Sequence, residues 1–281
     1  MESGIEGEYV FRDRYPEREA VYRRFDSESS AARQALPCLI DVAYGEGERE
    51  RFDLFLGEAA GPLIVFVHGG YWQSLSKDRY SFVARSLLQN GFSVALPNYP
   101  LAPLVPLAQI VEALYRSVPA IFAALSGAGR APPFWIASGH SAGGHLAAMM
   151  AITDWRVRRI DVPLAGCVPI SGIFDLEPLI GTSLNRALGL DLQDAAALSP
   201  ARIRAHGARM TAVVGADETP SFMAQSENYT RHWQACGGRA ELAVLSKRNH
   251  YTILCDLMEE RSAITGRILS LAHGFRAEQG G

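Results

Sequence analysis

The chain has 281 residues, 48% hydrophobic and 20% charged, which excludes a disordered or collagen-like polymer. Lys plus Arg number 27 and Asp plus Glu 30, for a net charge of -3 with no basic patch, so nucleic acid is not an expected partner. A chain of this size buries roughly 75% of its extended surface, enough for a core without disulfide or metal staples.

The first 36 residues are charged and Arg-rich and show no strand pattern. Pro16 to Gln34 reads as one helix or a frayed arm, its arginines balanced by Glu and Asp on a solvated face. Residues 1–36 are therefore expected to form an N-terminal helical arm, and 37–281 the catalytic domain. The N-terminal residues contain no apolar h-region, so no secretory signal is expected. No stretch reaches about 18 apolar residues, so neither a transmembrane helix nor a membrane partner is expected. A cytoplasmic location follows as an expectation, and a homodimer is compatible with it.

Cys38–Tyr44 and Arg51–Leu56 read as strands joined by the turn residues Gly45-Glu46-Gly47-Glu48, a hairpin. Leu63–Val67 is a continuous β-rich apolar run, as in a strand buried on both faces of a parallel sheet. Asp78–Asn90 has helical periodicity and stops at Gly91; Phe92–Leu96 follows as a strand. In Pro106–Leu125, Leu107, Ile110, Val111, Leu114, Val118, Ile121 and Phe122 share one helical face, with Pro119 expected to kink it. Phe134–Ser138, Ala165–Ser171, Arg209–Val214 and Glu241–Leu245 are further strands. Ala142–Ile152, Pro220–Cys236 and Thr252 to about His273 are helices.

Strands alternating with helices imply an α/β fold, a mostly parallel sheet flanked by helices. Residues 172–208 break the rhythm with short helical pieces near Asp175–Ile180, Ser183–Leu188 and Asp191–Leu198. They read as a small cap-like helical insertion after the sixth strand. The four cysteines, Cys38, Cys167, Cys236 and Cys255, form no CxxC pair and read as reduced thiols.

Gly139-His140-Ser141-Ala142-Gly143 follows a strand and opens a helix, the setting of a nucleophile elbow. Ser141 is the expected nucleophile. His68-Gly69-Gly70-Tyr71-Trp72 ends the strand Leu63–Val67, where this architecture supplies an oxyanion-hole donor. The hole is assigned to the N–H groups of Gly70 and Ala142, with Gly69 shaping the loop and Tyr71 as a third donor.

A base and an orienting acid must follow the serine in chain order. His145 lies one helical turn beyond it, His206 ends the insertion, and His232 and His273 lie within helices. His250 sits in a loop after a strand, where such sheets carry their sites, and is the expected base. For the acid, the loop after Arg209–Val214 offers two neighbours; Asp217 is favoured and Glu218 is its rival. Tyr71, Trp72, His145 and Phe174 are candidate substrate-binding residues, with the core as an equal alternative for the aromatics and a structural role for His145. No metal-ligand spacing occurs, so neither a metal nor a cofactor is expected.

These residues resemble the α/β-hydrolase superfamily from roughly Cys38 to His273. His68-Gly69-Gly70-Tyr71-Trp72, His140 to Ala148 and Ser171 to Leu179 resemble the kynurenine formamidase (arylformamidase) branch. Tyr71 stands where the lipase and esterase branch usually carries a third glycine. The resemblance implies a triad of Ser141, Asp217 and His250, and hydrolysis of N-formyl-L-kynurenine in tryptophan breakdown. Its alternatives are a carboxylesterase for short acyl esters, or a non-catalytic binding protein on the same scaffold.

Overall fold

In the computed structural model, which describes residues 4–205 and 208–279, eight strands form one sheet of order β1-β2-β4-β3-β5-β6-β7-β8. They are β1 Cys38–Ala43, β2 Arg51–Phe55, β3 Leu63–Val67, β4 Ser93–Pro97, β5 Trp135–His140, β6 Leu164–Ile170, β7 Arg209–Gly215 and β8 Ala240–Leu245. β1, β2 and β4 pair antiparallel, and every other neighbouring pair is parallel. β3, β4 and β5 are buried throughout, as their uninterrupted apolar runs require of strands covered on both faces.

The helices are α1 Ile5–Tyr9, α2 Arg18–Ala35, α3 Val83–Gln89, α4 Leu107–Gly127 and α5 Ala142–Ala151. Beyond β6 come α6 Glu177–Ile180, α7 Asn185–Leu188 and α8 Leu192–Leu198, then α9 Pro220–Ala235 and α10 Ala263–Gln279. α6 to α8 occupy the expected insertion. α4 runs on past Pro119 and buries Leu107, Ile110, Leu114, Val118, Ile121 and Leu125. It is the one described helix long and apolar enough to cross a membrane; here it packs against the core.

Two expected helices divide. Between Asp78 and Asn90 the chain forms a 3-10 turn, Lys77–Tyr80, before α3 begins. The buried Lys77 ammonium is held 2.7 Å from both Asp53 and Asp41, which pins the turn and interrupts the helical run. The expected helix from Thr252 to His273 is a 3-10 stretch, Thr252–Met258, followed by α10. The break comes from caps: Ser262 Oγ accepts from Thr265 N at 3.1 Å, and the Asp256 carboxylate from Ile264 N at 3.1 Å.

The N-terminal residues depart most from the sequence reading. α2 is helical as expected, yet Tyr9, Phe11, Tyr15, Val21 and Phe25 are buried in the main core. Arg33 on α2 reaches the buried Asp53 carboxylate at 3.0 Å. The segment folds as part of the domain, not as a solvated arm.

Candidate active site

The loops after β3, β5 and β8 line one cleft at the C-terminal ends of these parallel strands, where open α/β sheets place their ligands. Ser141 joins β5 to α5 with φ 57° and ψ -120°, a strained conformation for a residue with a side chain. The elbow forms because its neighbours are small. A Cβ on Gly143 would lie 2.0 Å from the Val67 carbonyl oxygen, so the turn can pack against β3 only with glycine there. Ala142 is the first residue of α5, and its N–H is among the orphan donors of a helix N-terminus.

The loop after β3 is also strained. Gly70 has φ 112°, and Tyr71 and Trp72 follow with φ 49° and 57°. Among the described residues, no acceptor is recorded for the N–H groups of Gly70 and Tyr71. Gly69 packs directly over the elbow, where an added Cβ would meet the His140 carbonyl at 2.8 Å and Ser141 Cβ at 3.2 Å. Beneath, His68 stacks on Tyr99 with ring centroids 4.2 Å apart. Burial lowers its pKa to about 3, so it is neutral and donates Nδ1–H to the Gly69 carbonyl at 2.7 Å.

His250 is buried in a loop whose shape is set by Asn249. The Asn249 side-chain oxygen accepts from Tyr251 N and Thr252 N, both at 3.0 Å. The His250 ring is packed by Phe222, Phe11 and Tyr251, at centroid distances of 4.6, 5.0 and 5.7 Å. Its backbone carbonyl accepts from His140 Nε2 at 2.8 Å, tying the elbow strand to the loop. Burial holds His140 well below the usual histidine range, so this ring is neutral too.

The carboxylate at His250 belongs to Glu218. Its Oε2 accepts from His250 Nδ1 at 2.8 Å, and its Oε1 from Ser171 Oγ at 2.5 Å and Gly215 N at 2.8 Å. The Glu218 side chain is fully buried. The sequence favours Asp217, and here the structure differs. Asp217 is exposed, and its recorded contacts are through the backbone: its N–H donates to the Arg248 carbonyl and its C=O accepts from Tyr15 Oη, both at 3.0 Å. The turn after β7 directs residue 218 inward and residue 217 outward.

With Nδ1 engaged by Glu218, Nε2 is the ring nitrogen of His250 left for proton transfer. Ser141 and His250 line the same cleft of about 630 Å³, together with His140, Gly70 and Tyr71. Of the candidate substrate-binding residues, only Tyr71 faces it. Trp72 is fully buried, edge-on to His145 with centroids 5.0 Å apart. His145 bonds the Leu198 carbonyl at 2.7 Å, clamping α5 to the insertion, and burial lowers its pKa to about 4. Phe174 stacks on Tyr229 at 4.2 Å. All three are core groups because the aromatic and imidazole rings fill the space between the insertion and the sheet. Of the other histidines, His232 bonds the Ile203 carbonyl at 2.8 Å, and His206 lies outside the described residues.

The other wall of the cleft comes from residues the sequence reading leaves in solvent. Tyr9, Phe11, Arg12, Arg18 and Tyr22 line it, with Tyr251 packed against Tyr22 at 5.6 Å. The Tyr71 hydroxyl donates to the Tyr9 carbonyl, and Glu6 accepts from Ser183 N at 2.8 Å, fastening the segment to the oxyanion loop and the insertion. The available signal was the aromatic residues spaced through this charged stretch: Tyr9, Phe11, Tyr15, Tyr22 and Phe25.

Sheet order and elbow define an enzyme of the α/β-hydrolase fold. Residues 53–170 match the BD-FAE family model. The chain is 32% identical to the kynurenine formamidase of Danio rerio over 87% of its own length and 85% of the relative's. It is 29% identical to that of Drosophila melanogaster, with 76% and 74% covered. The chain belongs to the kynurenine formamidase family. Among solved structures, a Silicibacter protein provisionally described as a thioesterase superposes with TM-score 0.82 at 32% identity, covering 94% of this chain and 98% of that one. An esterase of Pyrobaculum calidifontis gives TM-score 0.70 at 21% identity, covering 90% and 92%, a likeness of fold alone.

Proposed function

We propose that this enzyme hydrolyses N-formyl aryl amides, with N-formyl-L-kynurenine as the substrate and kynurenine plus formate as products, a step of tryptophan breakdown. The observation that carries this reading is a single aromatic-walled cleft holding Ser141 and His250, in a chain of the kynurenine formamidase family.

Ser141 Oγ attacks the formyl carbon as His250 Nε2 takes its proton. Glu218 holds the imidazole in the required tautomer and stabilises the imidazolium that forms. The N–H groups of Gly70 and Ala142, with Tyr71 as a third donor, receive the developing oxyanion. Each such donor contributes about 2.7–4 kcal/mol to related reactions. Collapse of the tetrahedral intermediate breaks the C–N bond, and the arylamine leaves with the proton from His250. Water, deprotonated by His250, then attacks the formyl-serine; formate departs and Ser141 regains its proton. No step calls on a metal or cofactor.

A second reading, hydrolysis of short acyl esters, is favoured by the likeness to the Silicibacter protein described as a thioesterase. The deciding measurement compares kcat/KM for formylkynurenine, acetylkynurenine and short p-nitrophenyl esters. A formyl preference supports the amidase reading; higher values on butyryl esters than on either amide would replace it. We further propose a cytoplasmic location, supported by four cysteines that are all free thiols.

A further inference from the structure

The cleft that holds Ser141 carries an excess of positive charge. Arg12 and Arg18 from the N-terminal segment line it, and Arg79 joins them from the 3-10 turn Lys77–Tyr80, against the single carboxylate of Glu19. The three arginines are not equivalent. Arg79 is committed to Asp26, with bonds of 2.7 and 2.9 Å, and its guanidinium lies 4.5 Å from the Tyr22 ring centroid. Arg18 pairs at 2.5 Å with Glu19, an exposed neighbour. Arg12 makes no ion pair or side-chain hydrogen bond among the described residues. Beside them stand Tyr22 and Tyr251, their rings edge-to-face at 5.6 Å.

A guanidinium with no recorded ion pair, beside a second one shared between exposed Glu19 and the Tyr251 hydroxyl, matches a planar anion. The aromatic rings that line the same cleft as these arginines and Ser141 provide a surface for an aryl group. We propose that Arg12 and Arg18 are specificity-determining residues that bind a carboxylate on the amine side of the substrate, so that the enzyme selects anionic aryl substrates over neutral isosteres. This rests on the assignment of the cleft as the catalytic site, and it holds whether the scissile bond is a formamide or an ester.

The test uses two isosteric pairs. One is 4-(2-formamidophenyl)-4-oxobutanoate against its neutral carboxamide; the other is 4-acetoxyphenylacetate against its neutral carboxamide, 4-acetoxyphenylacetamide. Wild-type enzyme should favour the anion in each pair it cleaves, through a lower KM, and the preference should shrink with added salt. In Arg12→Gln, Arg18→Gln and the double variant, the anionic-to-neutral ratio of kcat/KM should fall about 10- to 100-fold, the usual loss of a charge-assisted hydrogen bond. Arg12→Lys should restore part of it. Because the readout is a ratio within one preparation, misfolding cannot imitate it. An equal ratio in wild type and double variant overturns the proposal. Cleavage of the esters alone, with the charge preference intact, overturns the formamidase reading and leaves the arginine assignment standing.

Discussion

The carboxylate of Glu218 lies 2.8 Å from Nδ1 of His250, while Asp217, one residue earlier, faces solvent. Glu218→Gln should therefore cripple turnover, because an amide favours the wrong imidazole tautomer; the loss is about 10⁴-fold in the best-studied triad. Asp217→Asn should change kcat by less than about threefold, since its recorded contacts are through the backbone. The reverse ranking in steady-state kinetics would return the role to Asp217.

Ser141→Ala should fold normally and lose nearly all activity. A residual rate above about one hundredth of wild type, in a preparation with unchanged circular dichroism, would remove Ser141 from the nucleophile's role.

Phe11 packs edge-on against His250 and is 5% exposed. Phe11→Ala should destabilise the fold by about 3 kcal/mol, as buried Phe truncations do. It should also raise KM by opening the cleft wall. An unchanged melting temperature together with unchanged kinetics would show that the N-terminal segment plays no part in the site.

Burial lowers the pKa of His68 to about 3 and of His145 to about 4, and holds His140 well below its ordinary value. In the unfolded chain each titrates near ~6.5. Below that pH the unfolded state binds protons that the folded state refuses, so stability is full above about 6.5 and declines as pH falls toward 4. Each histidine adds about 1.4 kcal/mol per pH unit to that slope. Denaturant titrations between pH 7 and 4.5 should show the decline. Replacing His145 by Gln should flatten the slope; an identical slope would mean that this ring takes up its proton over the same pH range in the folded and unfolded chain.

Much of this architecture was legible because it rests on local patterns. The uninterrupted Leu63–Val67 run, the Gly139–Gly143 elbow and the Gly-rich turn of the first hairpin each announce themselves within a few residues. The acid was harder. Asp217 and Glu218 are adjacent in one turn, and which of them faces inward depends on Ser171 and Gly215, partners that only the folded sheet brings to Glu218. Trp72, His145 and Phe174 pose a similar ambiguity, since a ring next to a catalytic loop is equally suited to substrate and to core, and all three fill the core. The N-terminal segment was hidden by its charge: an Arg-rich face masked the buried stripe of Tyr9, Phe11, Tyr15, Val21 and Phe25.

The bonds from Tyr15 to Asp217 and from Asn249 to Glu17 span 202 and 232 residues of chain. Contacts of such separation form late, because the entropy of closing a long loop is lost before the contact repays it. A refolding chain should thus regain buried tryptophan signals from the β5 region before it can hydrolyse anything. Catalytic competence then serves as a timer for the last step of folding: a polypeptide whose early and late segments have not yet met is an inert hydrolase scaffold, whatever the state of its elbow.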